Sequence, residues 1–293
     1  MAVEEIDPVS GRVTTGHEWN GIKELDTPVP RGVLLFLIVT HVFAVLWWFV
    51  MPTWPLGTTY TRGLLGTDQH RIIAERMAEA NAARAPWVDA IDRKSYDEIL
   101  ADPRLMQVVK ETGHRLFGDN CAACHGRDGR GGNNYPDLAD HDWIWGGGPE
   151  AIAQTISVGV NSTNADSRVS QMPAFGRDQM LEPAQLHDVA FYVHSLSNPD
   201  DATPDNVQTI EAGRQVFLAN CAACHGEDAK GSADVGAPNL TDTYWIYGGN
   251  LETIVATLHG GRQGHMPTWD KRLSPADIKI LALYVHSLGV ENP

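Results

Sequence analysis

The sequence predicts an all-α protein, one membrane-spanning helix near the N-terminus followed by two tandem copies of a small helical domain. Three observations predict it. Residues 33–51 are an uncharged apolar run of 19 residues. From Leu105 onward the chain repeats itself. Within each copy the apolar residues recur at helical spacing, and the segments between are rich in Gly and Asn.

Residues 1–32 are polar and rich in turn formers, with Pro8, Gly11, Gly16, Gly21, Pro28 and Pro30. The expectation there is a mostly irregular tail without a packed core. The apolar run that follows meets the roughly 20-residue requirement for crossing hydrocarbon. It ends at Pro52, and Trp47, Trp48 and Trp54 suit an aromatic belt at one interface. It is longer than the apolar part of a cleaved signal and begins far from Met1, so residues 33–52 are expected to be a retained anchor. His41 lies mid-span and is expected to stay neutral, hydrogen-bonded to a neighbouring helix. Residues 53–104 form a connector on the membrane surface or a partner subunit. An amphipathic helix is expected over 69–84, ended by Pro86, and a short one over 95–100, stopping near Pro103.

The duplication is read motif by motif. Gly113 and Phe117 match Gly213 and Phe217, and Pro136-Asp137-Leu138 matches Pro238-Asn239-Leu240. Trp143-Ile144-Trp145-Gly146-Gly147 matches Trp245-Ile246-Tyr247-Gly248-Gly249. Met172-Pro173 matches Met266-Pro267, and Tyr192-Val193-His194 matches Tyr284-Val285-His286. The two copies occupy residues 105–198 and 205–293. In each, a first helix carries the Gly and Phe, and a last helix is expected over 183–196 or 275–288. The glycine would let the last helix of the same copy approach closely, with Phe117 against Tyr192 and Phe217 against Tyr284.

Cys121-Ala122-Ala123-Cys124-His125 returns as Cys221-Ala222-Ala223-Cys224-His225, and these are the chain's 4 cysteines. C-x-x-C-H is the attachment signal of c-type haem. Both thiols add to the haem vinyl groups, and the adjacent His becomes an axial iron ligand. A redox dithiol would need a surrounding βαβ pattern, and a zinc site built from both Cys pairs would need no such His. The repeated unit therefore reads as two class-I-like cytochrome c domains. Each would carry one covalent haem c on Cys121 and Cys124 or on Cys221 and Cys224, with His125 and His225 as proximal ligands. Met172 and Met266 hold matching places before a proline and are the expected distal ligands; His265 is the rival to Met266. Met106 and Met180 have no counterpart in the other copy and are expected in the core. Closed six-coordinate iron carries electrons. Trp143, Trp145 and Trp245 are candidate donors to haem propionates, and Arg168 and Arg262 are candidate counter-charges. His194 and His286 are expected to be structural.

The chain has 37 Asp and Glu against 22 Lys and Arg. That balance argues against nucleic acid as a partner and suits a basic soluble electron donor. The resemblance of the motifs to c-type cytochromes implies haem attachment outside the cytoplasm, so the two domains are expected there and residues 1–32 inside it.

Taken together, the single span, Gly63-Leu64-Leu65-Gly66 in the connector, both haem motifs and the Trp-Ile-aromatic-Gly-Gly segments resemble the dihaem cytochrome subunit (CcoP or FixP) of cbb3-type cytochrome c oxidases. The resemblance covers nearly the whole length. It implies an electron-transfer subunit in a bacterial inner membrane, with its haem domains in the periplasm. Electrons would come from a soluble or membrane-bound cytochrome c, pass through two haems, and leave for a monohaem cytochrome subunit and the haem–copper catalytic subunit. This chain would hold no oxygen-reducing centre. The resemblance also implies exchanged methionines, Met172 serving the haem on Cys221 and Met266 the haem on Cys121; spacing alone permits either arrangement. A dihaem subunit of a periplasmic dehydrogenase, or a free tethered shuttle, is the alternative. A dihaem peroxidase fits less well, since it needs an exchangeable iron position and both copies carry Met-Pro.

Overall fold

The computed structural model describes residues 5–291. The chain divides into two compact units, Met1–Ala82 and Ala83–Pro293.

The N-terminal tail is not irregular as expected. Strands β1 (Thr14–Trp19) and β2 (Ile22–Leu25) pair antiparallel. Asn20 and Gly21 join them with positive φ values of 53° and 85°, the mirror-image turn whose twist matches a hairpin. Asn-Gly between two apolar residues is a strong short-range hairpin signal, and here it outweighs the scattered prolines around it.

Helix α1 (Arg31–Val50) follows Pro30 and buries none of its residues against protein. Its 20 residues span about 30 Å, enough to cross the hydrocarbon of a bilayer. Thr40 and His41, mid-helix, bond to its own backbone. Thr40 Oγ1 donates to the Phe36 carbonyl at 2.9 Å, and His41 Nδ1–H donates to the Leu37 carbonyl at 2.7 Å. The chain then folds back to close the end of α1. Leu64 and Leu65 donate their N–H groups to the carbonyls of Phe49 and Val50, at 3.0 and 3.1 Å. Gly63 makes this possible, because its φ is +67° and a Cβ there would run into the Val50 carbonyl.

Helix α2 (Gln69–Arg93) does not stop at Pro86 but runs through it. Proline removes the hydrogen bond to the carbonyl four residues back, that of Ala82, where the two units divide. Beyond Pro86 tertiary packing sustains the helix: Ile91 is fully buried and Trp87 and Ala90 pack on the same core. Helix α3 (Tyr96–Leu100) has a capping box between Ser95 and Glu98, and Ile99 is fully buried. The end of the expected connector is therefore part of the haem-bearing unit. Helix α4 (Pro103–Asn120) starts with Pro103 at its first turn, and the Asp102 carboxylate accepts from the N–H groups of Arg104 and Leu105.

After α5 (Ala122–His125) come loops, then α6 (Pro149–Val158) and α7 (Pro183–Ser197). The second copy repeats this as α8 (Val207–Asn220), α9 (Ala222–His225), α10 (Leu251–Gly260) and α11 (Pro275–Glu291). Helices α6 and α10 were not anticipated. Their signal is short, Ile152 and Ile156 or Ile254 and Leu258 one turn apart, after a Gly-rich stretch.

The helices pack across the copies. Helix α11 lies on α4 and α6, and α7 lies on α8 and α10. The expected pairing of Phe117 with Tyr192 and Phe217 with Tyr284 is therefore corrected. Phe117 meets Tyr284 with ring centroids 5.7 Å apart, and Phe217 meets Tyr192 at 5.3 Å. Two cores result. One holds Val109, Phe117, Ile152, Ile156, Leu281 and Val285; the other holds Leu186, Val189, Phe217, Ile254 and Leu258. Each motif finds the same residue types in either last helix, so local sequence does not distinguish the pairings.

Candidate haem sites

Both CAACH motifs begin at the end of a helix. Cys121 and Cys221 terminate α4 and α8, each donating its N–H to the carbonyl of the buried Phe117 or Phe217 at 2.8 Å. One short helical turn then carries the second cysteine and the histidine. Cys121 and Cys221 are largely buried, and burial, helped by the neighbouring Cys124 or Cys224, pushes each thiol up to about 11. Cys124 and Cys224 stay exposed.

Each histidine is oriented by a backbone carbonyl. His125 Nδ1–H donates to Pro136 O at 3.2 Å, and His225 Nδ1–H donates to Pro238 O at 3.0 Å. This bond fixes the tautomer and leaves Nε2 as the acceptor for a metal. Burial lowers both histidines below their ordinary range, which keeps the imidazoles neutral as ligation requires.

A single cavity of about 680 Å³ runs between the two cores and is lined by Cys121, His125, Met172, His225 and Met266. Met266 packs against the core that contains Cys121, and Met172 against the core that contains Cys221. The two methionine loops interlock. Val160 and Met266 exchange N–H···O bonds of 3.0 and 2.9 Å, and Met172 and Arg262 exchange bonds of 2.8 and 3.1 Å. Gly159 and Gly261, both at positive φ, let these crossings happen: a Cβ on either would strike the carbonyl of Met266 or Met172. His265, the rival ligand, also lines the cavity but is more exposed than Met266. Met106 packs on the core as expected, but Met180 is 55% exposed and has no core role.

The cavity fits a haem in chemistry as well as shape. Its walls are largely apolar; Arg168, next to the lining residue Val169, donates to Ala151 O and Gln154 Oε1 and leaves its buried Nε without a hydrogen-bond partner. The Arg168 guanidinium lies 4.9 Å from the Trp145 ring, and that of Arg262 lies 4.5 Å from the matching Tyr247 ring. Trp143 and Trp245 fold flat against Gly147 and Gly249, where any side chain would collide with the indole. His286 Nδ1–H donates to Gly147 O at 2.8 Å, and His194 lies 3.7 Å from Asp201, so neither belongs to the cavity.

A helix able to span a membrane, followed by two such sites, defines a membrane-anchored cytochrome c-type electron-transfer protein. The family described as the N-terminal domain of cytochrome oxidase-cbb3, FixP, matches residues 11–58. Cytochrome c matches residues 110–197, and cytochrome c oxidase, cbb3-type, subunit III, matches 208–285. The chain is 45% identical over 286 residues to the cbb3-type cytochrome c oxidase subunit FixP of Bradyrhizobium sp. (strain ORS 278), covering 97% of both chains. It is 42% identical over 297 residues to the subunit CcoP of Azospirillum sp. (strain B510), covering 99% of both. The chain belongs to the FixP/CcoP family of cbb3-type cytochrome c oxidase subunits. It is a membrane-anchored, haem c-bearing electron-transfer subunit of that oxidase, and other oxidase subunits are its partners. The dehydrogenase and free-shuttle readings yield to this assignment.

Proposed function

We propose that the chain carries two haems c and passes electrons through them in series, from a donor cytochrome c towards the monohaem and haem–copper subunits. The haems are held by Cys121 and Cys124 and by Cys221 and Cys224, with His125 and His225 as proximal ligands. The distal ligands are exchanged between the copies: Met266 serves the haem on Cys121, and Met172 the haem on Cys221. The observation that carries this reading is the cavity lined by both motifs, with each methionine packed on the core that also holds the opposite copy's first cysteine. Bound haem supplies reversible one-electron chemistry at iron, and methionine ligation favours a higher potential than a second histidine.

The polypeptide orients the proximal imidazoles, excludes water with the two cores and offers Arg168 and Arg262 to the propionates. It does not itself reduce oxygen; that chemistry lies in the haem–copper subunit. Residues 1–32 lie in the cytoplasm and the haem-bearing unit lies in the periplasm of a bacterial inner membrane. The acidic excess of the chain suits a basic donor.

Gentle detergent extraction through a C-terminal tag tests the assembly. Co-purification of b-type haem, copper and oxygen-reducing activity, with two c-type haems per copy of this chain, is the expected result. A preparation holding c-type haem without the other centres would overturn the proposed partners.

A further inference from the structure

Tyr244 belongs to the second copy, yet its hydroxyl sits inside the loop that follows the first haem motif. It accepts the Gly132 N–H at 3.0 Å and donates to Tyr135 O at 2.6 Å. Gly131 is the reason it fits. A Cβ there would collide with the Tyr244 hydroxyl and would lie 2.7 Å from the carbonyls of both Tyr135 and Pro136. A second cross-copy bond, Asn134 N–H to Ile246 O at 2.8 Å, holds the same loop from the same side. The next carbonyl after the one Tyr244 grips is Pro136 O, the acceptor of His125 Nδ1–H.

The second copy is braced differently. The position matching Tyr244 is Asp142, whose carboxylate accepts from the Asn239 side chain at 2.7 Å. Asn239 follows Pro238, the acceptor of His225 Nδ1–H. The same repeat position thus reaches across the interface in both directions. One brace is a neutral phenol gripping the backbone, the other a carboxylate gripping a side chain.

We infer that Tyr244 is a positioning residue that sets the redox potential of the haem on Cys121, by holding the Pro136 carbonyl against His125 from the other copy. The inference rests on the proposed ligation of that haem by His125. A firmly held carbonyl strengthens the Nδ1–H bond, makes the imidazole a more basic ligand and favours ferric iron. Tyr244→Phe keeps the ring but frees the loop, so the His125 bond weakens and ferrous iron gains. The haem on Cys221 does not feel this change, because its own carbonyl is held through Asp142 and Asn239.

The test is a redox titration of the full-length holoprotein in detergent, followed at the hyperfine-shifted 15N signals of the two proximal imidazoles. Such signals at His125 and His225 in the unaltered chain establish the ligation on which the inference stands; their absence would remove that reading instead. In Tyr244→Phe the ferrous-to-ferric ratio at the His125 site is expected to rise about three- to tenfold at fixed ambient potential, tenfold being about 59 mV. The His225 site stays unchanged. If Tyr244→Phe fails to take up haem, 3-fluorotyrosine at position 244 decides the matter. It keeps both bonds, strengthens the donor, and is expected to shift the His125 site the opposite way. With either variant, no shift, or equal shifts at both sites, overturns the inference.

Discussion

Gly113 of the first copy and Tyr284 of the second touch at the crossing of α4 and α11, where a Cβ on Gly113 would lie 2.5 Å from the Tyr284 Cβ. The equivalent Gly213 is closer still, since its Cβ would enter the backbone carbonyl of Asp188 on α7. These two contacts show where the copies trade their last helices.

Substituting Ala at either glycine forces the helices apart. Overpacking of this kind costs about 1–3 kcal/mol. At Gly113 the obstacle is the Tyr284 Cβ at 2.5 Å; at Gly213 it is the Asp188 backbone carbonyl, nearer still at 2.0 Å. Gly213→Ala is therefore expected to lower the urea midpoint of the holoprotein more than Gly113→Ala. Equal midpoints for both variants and the unaltered chain would contradict the close crossing.

The exchange of methionines makes a prediction that local ligation reverses. In a chain whose Cys121 and Cys124 are replaced by Ala, only the second motif binds haem. Met172→Ala in that background should abolish the sulfur-to-iron charge-transfer absorption of the remaining haem, and Met266→Ala should leave it. The opposite pattern would mean that each copy supplies its own ligand.

Gly261→Ala places a Cβ 2.5 Å from the Met172 carbonyl, at a backbone φ of +69°. Both faults push the loop that delivers Met172. The expected result is weakened thioether binding at the haem on Cys221, seen as displacement of the sulfur by added imidazole at concentrations that leave the unaltered chain intact. Unchanged imidazole sensitivity would show that the loop tolerates the displacement.

Asp140 and Asp242 hold matching places ahead of Trp143 and Trp245, and burial, with nearby carboxylates, raises both to about 6. An ordinary aspartate titrates near 3.8. Between those values the folded state holds protons that the unfolded state has lost, so each group opposes folding increasingly as pH rises from about 4 to about 6. Asp242→Asn removes that penalty and keeps the acceptor for the Tyr244 N–H, now 3.0 Å from Asp242 Oδ1. The variant should match the unaltered chain below pH 4 and exceed it at pH 7 in urea unfolding. A stability difference independent of pH would exclude this origin.

How much of this was legible beforehand follows from where the information lies. The apolar span and the last helix of each copy are written in composition and spacing; the structure has α1 there, α7 ending at Ser197 and α11 running on to Glu291, past the expected Leu288. The hairpin was legible in Asn20-Gly21 but was masked by Pro8, Pro28 and Pro30. Helix α2 passes Pro86 because Trp87 and Ile91 are held by a core that local sequence does not display. The crossing of Phe117 to Tyr284 was not legible from residue pattern at all. Duplication makes both partners of every contact available twice, and only the three-dimensional chain path chooses between them. The same degeneracy hid Tyr244: its partners Gly132 and Tyr135 belong to the other copy, and they bond through backbone that no side-chain motif records.

The exchange of last helices also sets an order of events during biosynthesis. Helix α4 and the first haem motif leave the ribosome well before α11, the helix that covers them, whereas α7 is already present when α8 appears beside it. The motif made first is therefore the one that stays open longer, and the motif made second can close almost at once.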